Sequence, residues 1–317
     1  MPASDTSQLS RHPSRRGDIV FRWIAKASGT FILILLVAIA AFLIMEAVPA
    51  LRGDKASFLV TLSWDPDQTQ VFGIAALVFG TVISSLIALV IGVPIAVGVA
   101  LYISHYAPKA IARPLGYVTD LLAAVPSVVF GLWGLVWLVP NLIPLSQFLN
   151  RYFGWIPLFA STNQTYGKSM FAAGVVLAVM ILPIVAALCR EVFIQTPSEH
   201  VEAAYALGAT RWEMLRMAVL PYGRSGMISA IVLGFGRAVG ETIAVALVLS
   251  ASNVITIRIL DPAGATIAAN IANKFGDAGA MGRSALIASG LVLFAITLVV
   301  NFGARAIVRR GPRPGAV

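Results

Sequence analysis

Thr196-Pro-Ser-Glu199 … Glu202-Ala-Ala204 … Gly208-Ala-Thr210-Arg-Trp-Glu213 … Leu220-Pro221 is a polar stretch between two long apolar runs. Its punctuation can be read residue by residue. Thr196 and Glu199 have the spacing of a capping box, and Pro197 suits a first helical position, where its missing N–H costs nothing. Gly208 supplies a left-handed residue to end this first short helix. Thr210 with Glu213 is a second capping box, so a second helix starts at once, and Pro221 is expected to stop it. Two helices joined by a tight turn, with small Ala203 and Ala204 expected to be exposed, form a plug suited to another protein's groove. The same punctuation also suits a plain helical hairpin between membrane spans.

The flanking sequence places that hairpin in a membrane protein. Hydrophobic residues make up 58% of the chain and charged residues only 12%, with mean hydropathy +0.87, far from soluble averages. Six apolar stretches reach the roughly 20 residues that cross a hydrocarbon core. They are Gly29–Ala50, Val71–Ile103, Leu115–Val139, Met170–Cys189, Gly226–Ser250 and Ser284–Ala304. The second is over-long and holds Gly92 and Pro94, so it should tilt, kink or project. Lipid offers the backbone no hydrogen-bond partners, and the runs are continuous rather than alternating, so helices are expected and a β-barrel is not. The fold class is therefore an all-α polytopic membrane protein: a tail over 1–28, a six-helix domain over 29–304 and a second tail over 305–317.

Lys and Arg set the orientation. One side collects Arg11, Arg15, Arg16, Arg22 and Lys26, then Lys109 and Arg113, then Arg190, Arg211, Arg216 and Arg224, then Arg305, Arg309, Arg310 and Arg313. The other side has Arg52, Lys55, Arg151, Lys168, Arg258, Lys274 and Arg283. Both termini and the 196–221 hairpin should therefore be cytoplasmic. Topology bias and anionic lipid account for the +9 charge without nucleic acid. An Arg-rich flank, apolar Phe31–Met45 and Ala47-Val-Pro-Ala50 also fit a signal peptide, but the run is long and an uncleaved first helix gives an even number of spans. Cys189 stands alone, His12, His105 and His200 have no ligand spacing, and Asn163-Gln-Thr165 is a glycosylation sequon by pattern only. Residues 140–169, with Tyr152, Phe153, Trp155 and several prolines, suit an interfacial helix, a re-entrant hairpin or a loop on the outer face.

Four ionisable residues fall in or beside apolar runs: Glu46, Asp120, Arg237 and Glu241. Each charge at the bilayer centre costs about 2.5–3.5 kcal/mol on insertion scales. Glu46 and Asp120 lie near span ends and read as structural. Arg237 and Glu241 lie mid-span and four residues apart, hence on one expected helix face. The surrounding Gly234-Phe-Gly236-Arg-Ala-Val-Gly240-Glu-Thr242 is rich in small residues that let another helix approach. A structural ion pair is one reading. The other is a transport path for an oxyanion, since a guanidinium is always protonated and its fork matches phosphate geometry. Glu241 would then hold Arg237 and keep the anion from binding too tightly.

Glu202-Ala-Ala-x3-Gly208, followed by Leu220-Pro221, resembles the EAA loop of ABC-importer permeases, the segment that docks on the ATPase subunit. Gly236-Arg-Ala-Val-Gly-Glu-Thr242 and Asp120-Leu-Leu-Ala-Ala-Val-Pro-Ser-Val-Val-Phe-Gly-Leu-Trp-Gly134 are similar to phosphate-specific members of that superfamily. Ile243-Ala-Val245 after Glu-Thr resembles their PstC-type rather than PstA-type subunit, and the match covers about Leu86 to Ser250. Asp120 and His105 stand where the family commonly has Glu; the first keeps the charge and the second does not. The resemblance implies an inner-membrane permease of an ATP-driven phosphate importer that is not itself an enzyme. It also implies a second PstA-type permease, a PstB-type ATPase dimer and a periplasmic PstS-type phosphate-binding protein. Arg237, Glu241 and Thr242 would line the substrate path, and Gly234, Gly236 and Gly240 would pack helices. Glu202, Ala203, Ala204, Gly208, Thr210, Leu220 and Pro221 would couple to the ATPase. The chain itself would hold no cofactor, ATP and Mg belonging to the partner. Importers of sulfate or molybdate, and an ion-coupled secondary carrier, remain alternatives.

Overall fold

The computed structural model describes residues 16–162 and 166–310, with the side chains of Arg16 and of 307–310 outside the description. The sequon at Asn163–Thr165 and His12 lie outside the described residues. The described residues are mostly helical. The helices are α1 (Arg16–Gly53), α2 (Ala75–Leu101), α3 (Lys109–Ala123), α4 (Ser127–Trp133), α5 (Val139–Phe153) and α6 (Met170–Ile194). They continue as α7 (Ser198–Ala206), α8 (Arg211–Met214), α9 (Leu220–Gly240), α10 (Ile243–Val248), α11 (Ile267–Lys274) and α12 (Ala280–Arg310). A two-stranded antiparallel pair, β1 (Trp64–Asp65) and β2 (Val71–Phe72), sits between α1 and α2.

Among the described residues, six segments are long and apolar enough to cross a membrane: Gly17–Gly53, Ala75–Tyr106, Ser127–Phe153, Met170–Ile194, Arg211–Gly240 and Ala280–Ala306. The number is the expected one, but three boundaries move. Residues 16–28 are the first turns of α1 rather than a separate tail. The third span is Ser127–Phe153, not Leu115–Val139, because Ala124–Pro126 separates α3 from α4 and the helix runs on through Pro140 and Pro144. Much of the expected 140–169 insertion is therefore span. The fifth span starts at Arg211 and ends at Gly240, so Pro221 stops nothing.

One local device explains the prolines. π-helical turns occupy Tyr102–Tyr106, Gly134–Leu138 and Leu215–Val219, each ending two residues before a proline: Pro108, Pro140 and Pro221. A π turn widens the ladder to i→i−5, as in the bonds from Val139 N–H to Gly134 and from Leu220 N–H to Leu215. The proline's absent N–H and bulky ring then fall where the ladder is changing register, and the helix continues. At Pro108 the helix does end, and that proline precedes α3.

The core is built around α6. Of its most apolar window 67% is buried, against 6% for α1. Ser169 caps it, its Oγ accepting from Ala172 N–H at 3.2 Å. α6 packs most extensively on α2 and α9, with glycines at the close approaches: Gly174 meets Ile87, and Gly226 meets Val192. After α10 the chain folds back as a buried loop, with Ile259, Leu260, Ala263 and Ala265 all inside. Thr81 Oγ1 on α2 accepts the N–H of Ile267 at 3.0 Å, joining that loop to the bundle.

Candidate functional site

The fifth span breaks where its charges are. Glu241 has extended backbone (φ −69°, ψ 128°) and ends α9; Thr242 then turns the chain into the short α10. Gly234, one turn before Arg237, lies against Val185 and Ile181 near the middle of α6, and the break follows two turns later, where the apolar segment Arg211–Gly240 ends and α10 begins. Hydrocarbon tolerates non-helical backbone only where protein buries it or water reaches it.

The break separates the two expected partners. Arg237 is exposed and, among the described residues, has no carboxylate within ion-pair distance. Glu241 is 8% exposed and turned the other way, its Oε1 accepting the N–H of Ala244 at 3.2 Å. The shared-face expectation is thus corrected: the helix that would align residues four apart ends between them. Glu241 caps α10, where a carboxylate is favoured by the unpaired N–H groups and the positive end of the helix. Thr242 is half-buried and donates through Oγ1 to the Gly240 carbonyl at 3.2 Å, satisfying one orphan acceptor of α9. Among the described residues no carboxylate faces the Arg237 guanidinium.

The three glycines divide by face. Gly234, with Ala230 and Ala238, forms the buried ridge of α9, and a Cβ on Gly234 would meet Val185 Cγ2 at 2.6 Å. Gly236 and Gly240 have no neighbour within 4 Å. They share with Leu233 and Arg237 the uncovered face of α9. α10 is held from behind by α4: a Cβ on Gly131 would stand 2.6 Å from Ala244 Cα.

The cytoplasm-assigned hairpin is a second constellation. Its second capping box is complete: Thr210 N–H donates to Glu213 Oε2 at 2.8 Å, and Glu213 N–H to Thr210 Oγ1 at 3.4 Å. The first does not form. Pro197 occupies the cap position, not the first helical one, and Thr196 Oγ1 is buried without a partner. Gly208 takes φ +79°, as required of a residue closing a helix in the left-handed region. Gly208 N–H bonds Tyr205 O at 2.9 Å and Ala209 N–H bonds Ala204 O at 3.1 Å, the paired bonds of a Schellman motif. Ala204 is buried with Met214, Leu215 and Val219 against Phe193, Cys189 and Ala100. Only Ala203 of the alanine pair is exposed. Glu202, Ala203, Gly208 and Thr210 gather at the exposed tip, whereas Leu220 is half-buried in the bundle and Pro221 opens α9.

Two tip residues escaped the sequence reading: Leu207, 81% exposed, and Trp212, 58% exposed. Large apolar groups this exposed on a polar hairpin mark a contact surface. Asp120 and Arg190 form the one ion pair among the described residues, at 3.3 Å, binding α3 to α6 with Gly116 leaving room for the guanidinium. At the opposite end Asp67 accepts from Gly279 N–H at 3.0 Å and Gly282 N–H at 2.8 Å, capping α12. Lys274 lies over Trp64 there, 5.8 Å from the ring centroid; burial lowers its pKa, and the Asp65 charge partly restores it.

A family model for the inner membrane component of binding-protein-dependent transport systems matches residues 92–311, which include both constellations. The chain belongs to that family. Over 305 residues this family member is 48% identical to the phosphate transport system permease protein PstC 2 of Mycobacterium tuberculosis, covering 94% of each chain. It is 44% identical to PstC of Mycobacterium leprae over 304 residues, 94% of this chain and 95% of that one. It is 40% identical to PstC of Xylella fastidiosa over 298 residues, 93% and 91%. Among solved structures, it is similar to a bacterial ABC transporter involved in the import of the acidic polysaccharide alginate. That likeness has TM-score 0.56 and 17% identity, covering 94% of this chain and 99% of that one. The inward-facing MetNI methionine ABC transporter gives TM-score 0.50 and 21% identity, covering 76% and 95%. These likenesses to solved structures concern the fold alone.

Proposed function

We propose that this chain is the transmembrane permease subunit of an ATP-driven importer that carries inorganic phosphate across the bacterial inner membrane. The observation that carries this reading is the break at Glu241–Thr242, which leaves Arg237 on an uncovered face and, among the described residues, with no carboxylate within ion-pair distance. Its permanent charge and planar donors suit a multiply charged oxyanion. The names of the relatives at 40–48% identity favour phosphate over sulfate or molybdate.

In this reading the uncovered face of α9, with Gly236 and Gly240, meets a PstA-type second permease, and Arg237 lines the path between them. Thr242 lies at the same break, and its hydroxyl would reach the anion only by turning away from the Gly240 carbonyl to which it donates. Glu241 sets the geometry of the break by capping α10 and leaves Arg237 un-neutralised. A PstB-type ATPase dimer grips the hairpin tip at Glu202, Ala203, Leu207, Gly208 and Trp212. Ala204, Leu215 and Val219 carry its motion into α2, α6 and α9, which rock as a rigid body between inward-open and outward-open states. A PstS-type phosphate-binding protein delivers substrate on the outer side. ATP and Mg are bound by the ATPase, and this chain has no cofactor of its own.

The test is uptake of labelled phosphate into vesicles holding this chain with its neighbouring permease and ATPase. Uptake should require ATP and be competed by phosphate far better than by sulfate. A discontinuous helix is also a mark of ion-coupled secondary carriers. Uptake driven by a proton gradient without ATP would decide for that reading instead.

A further inference from the structure

The two halves of the broken span are reached from the hairpin by different routes. α9 continues from the hairpin without interruption and ends at Gly240. α10 is also reached the other way round, through α2, α3 and α4. Ala100 and Leu101, at the end of α2, belong to the apolar cluster that buries Ala204, Met214 and Leu215 of the hairpin. The chain then passes through the π turn Tyr102–Tyr106 and α3 into α4, and α4 closes on Ala244 at Gly131. Ala244 is the residue whose N–H the Glu241 carboxylate holds.

α3 is the loosely held member of this second route. Extended backbone at Ala107 and Pro108 (ψ 135° and 149°) precedes it, and Ala124–Pro126 interrupts the helix after it. Of its 15 residues only Gly116 and Thr119 are buried, while Ile111, Tyr117, Val118 and Leu121 are exposed. A rod with a hinge at each end and so little burial lies at the low end of local stability. One ion pair fastens it to α6: Arg190 Nη2 donates to Asp120 Oδ2 at 3.3 Å and to Oδ1 at 3.4 Å. Both oxygens share one nitrogen, and the Asp120 side chain is 49% exposed, so the grip is weaker than a buried two-pronged pair. Arg190 Nε is buried with no acceptor. A Cβ on Gly116 would collide with Arg190 Nη1, so that glycine admits the guanidinium to α3.

We propose that α3 is a hinged rod that sets how α4 presses on α10, and that Asp120–Arg190 is the latch holding it on α6. Asp120 is then a positioning residue: it touches no substrate and acts through α4 on the break beside Arg237. With the latch open, α3 turns about Pro108 and Pro126, and α4 shifts against Ala244 and the cap that Glu241 makes there. The latch gives the hairpin and the break a shared two-state element, which a physical account of their coupling requires. Its part in transport rests on the import reading above; the rod and latch themselves do not.

Amide hydrogen exchange on the full chain in detergent reads the latch with neither ATPase nor phosphate present. Asp120→Asn should raise exchange over residues 109–123 roughly threefold, the worth of a half-exposed ion pair, and leave α6 unchanged. Asp120→Glu, which keeps the charge, should restore most of the protection. Equal exchange in the wild type and Asp120→Asn would overturn the proposal. The assembled transporter then reads the coupling. Asp120→Asn should hydrolyse ATP at the wild-type rate or faster while phosphate carried per ATP falls severalfold. A merely structural role would lower hydrolysis, uptake and yield of the complex together, and that result would overturn the rod. Phosphate carried per ATP unchanged in Asp120→Asn would overturn it equally. Absence of ATP-driven uptake in the wild type would strike the import reading alone, because the exchange measurement still decides the latch.

Discussion

A charge at the bilayer centre costs about 2.5–3.5 kcal/mol to insert, and among the described residues no carboxylate pairs with Arg237 to offset such a cost. A residue so placed is kept for what it binds. Arg237→Gln should lower phosphate uptake by roughly 10–100-fold, the worth of a charge-assisted hydrogen bond, while the partner subunits still co-purify. Normal uptake by that variant would make Arg237 structural. Glu241 gives a sharper test because its two possible roles respond to different substitutions. As a cap it needs only an oxygen acceptor for Ala244 N–H, so Glu241→Gln should retain most uptake. Glu241→Leu should lose about 1–3 kcal/mol of stability by leaving that donor unpaired, a loss that thermal unfolding in detergent would register. If Gln is as damaging as Leu, the negative charge itself is required. The sequence made both residues visible, since charges in an apolar run stand out. It hid their separation, because spacing implies a shared face only while the helix persists. Gly240 followed by Glu-Thr is the punctuation of one helix ending and another beginning, masked here by apolar residues on both sides.

At the scale of elements, the hairpin was legible wherever its signals were local. Gly208 and the Thr210–Glu213 box are contained within a few residues and fold as those residues dictate. Gly208→Leu should cost about 1–2 kcal/mol at φ +79°. Nothing lies within 4 Å of its Cβ position, so the cost is purely conformational. The bundle should therefore stay folded while ATPase co-purification weakens. Undiminished co-purification with normal transport would argue against docking at this turn. Gly131 is the opposite case, with an ordinary backbone angle but Ala244 Cα in the way. Gly131→Val should push α10 off α4 and cost about 1–3 kcal/mol, read as a lowered unfolding temperature. Elements were misread where a signal depends on its neighbours. Pro221 and Pro140 look like stops, yet the π turns ahead of them let both helices continue. Ala203 and Ala204 look alike in sequence, and only the docking of α7 on the bundle leaves one outward and the other in the core.

The whole molecule leaves much apolar surface uncovered: nearly all of α1, and the Leu233–Gly240 face of α9. Lipid can cover the first, but a broken backbone beside a charge needs protein or water. Composition and length made the six-span architecture legible because the bilayer imposes one length on every crossing. The assembly was legible only through resemblance, since partner surfaces carry no periodic signal. Orientation can be tested on this one chain. Cys189 is its lone cysteine and is buried in the core. A single Leu207→Cys substitution at the exposed hairpin tip therefore introduces one reactive thiol. If both termini and the hairpin are cytoplasmic, a membrane-impermeant maleimide should leave intact spheroplasts unlabelled and modify the variant fully in inside-out vesicles. Adding the ATPase should then suppress labelling, because the nucleotide-driven partner covers the residue it grips. Labelling from outside would reverse the topology and remove any route by which cytoplasmic ATP could drive α9. Labelling from inside that the ATPase leaves unchanged would keep the topology but move the contact away from Leu207.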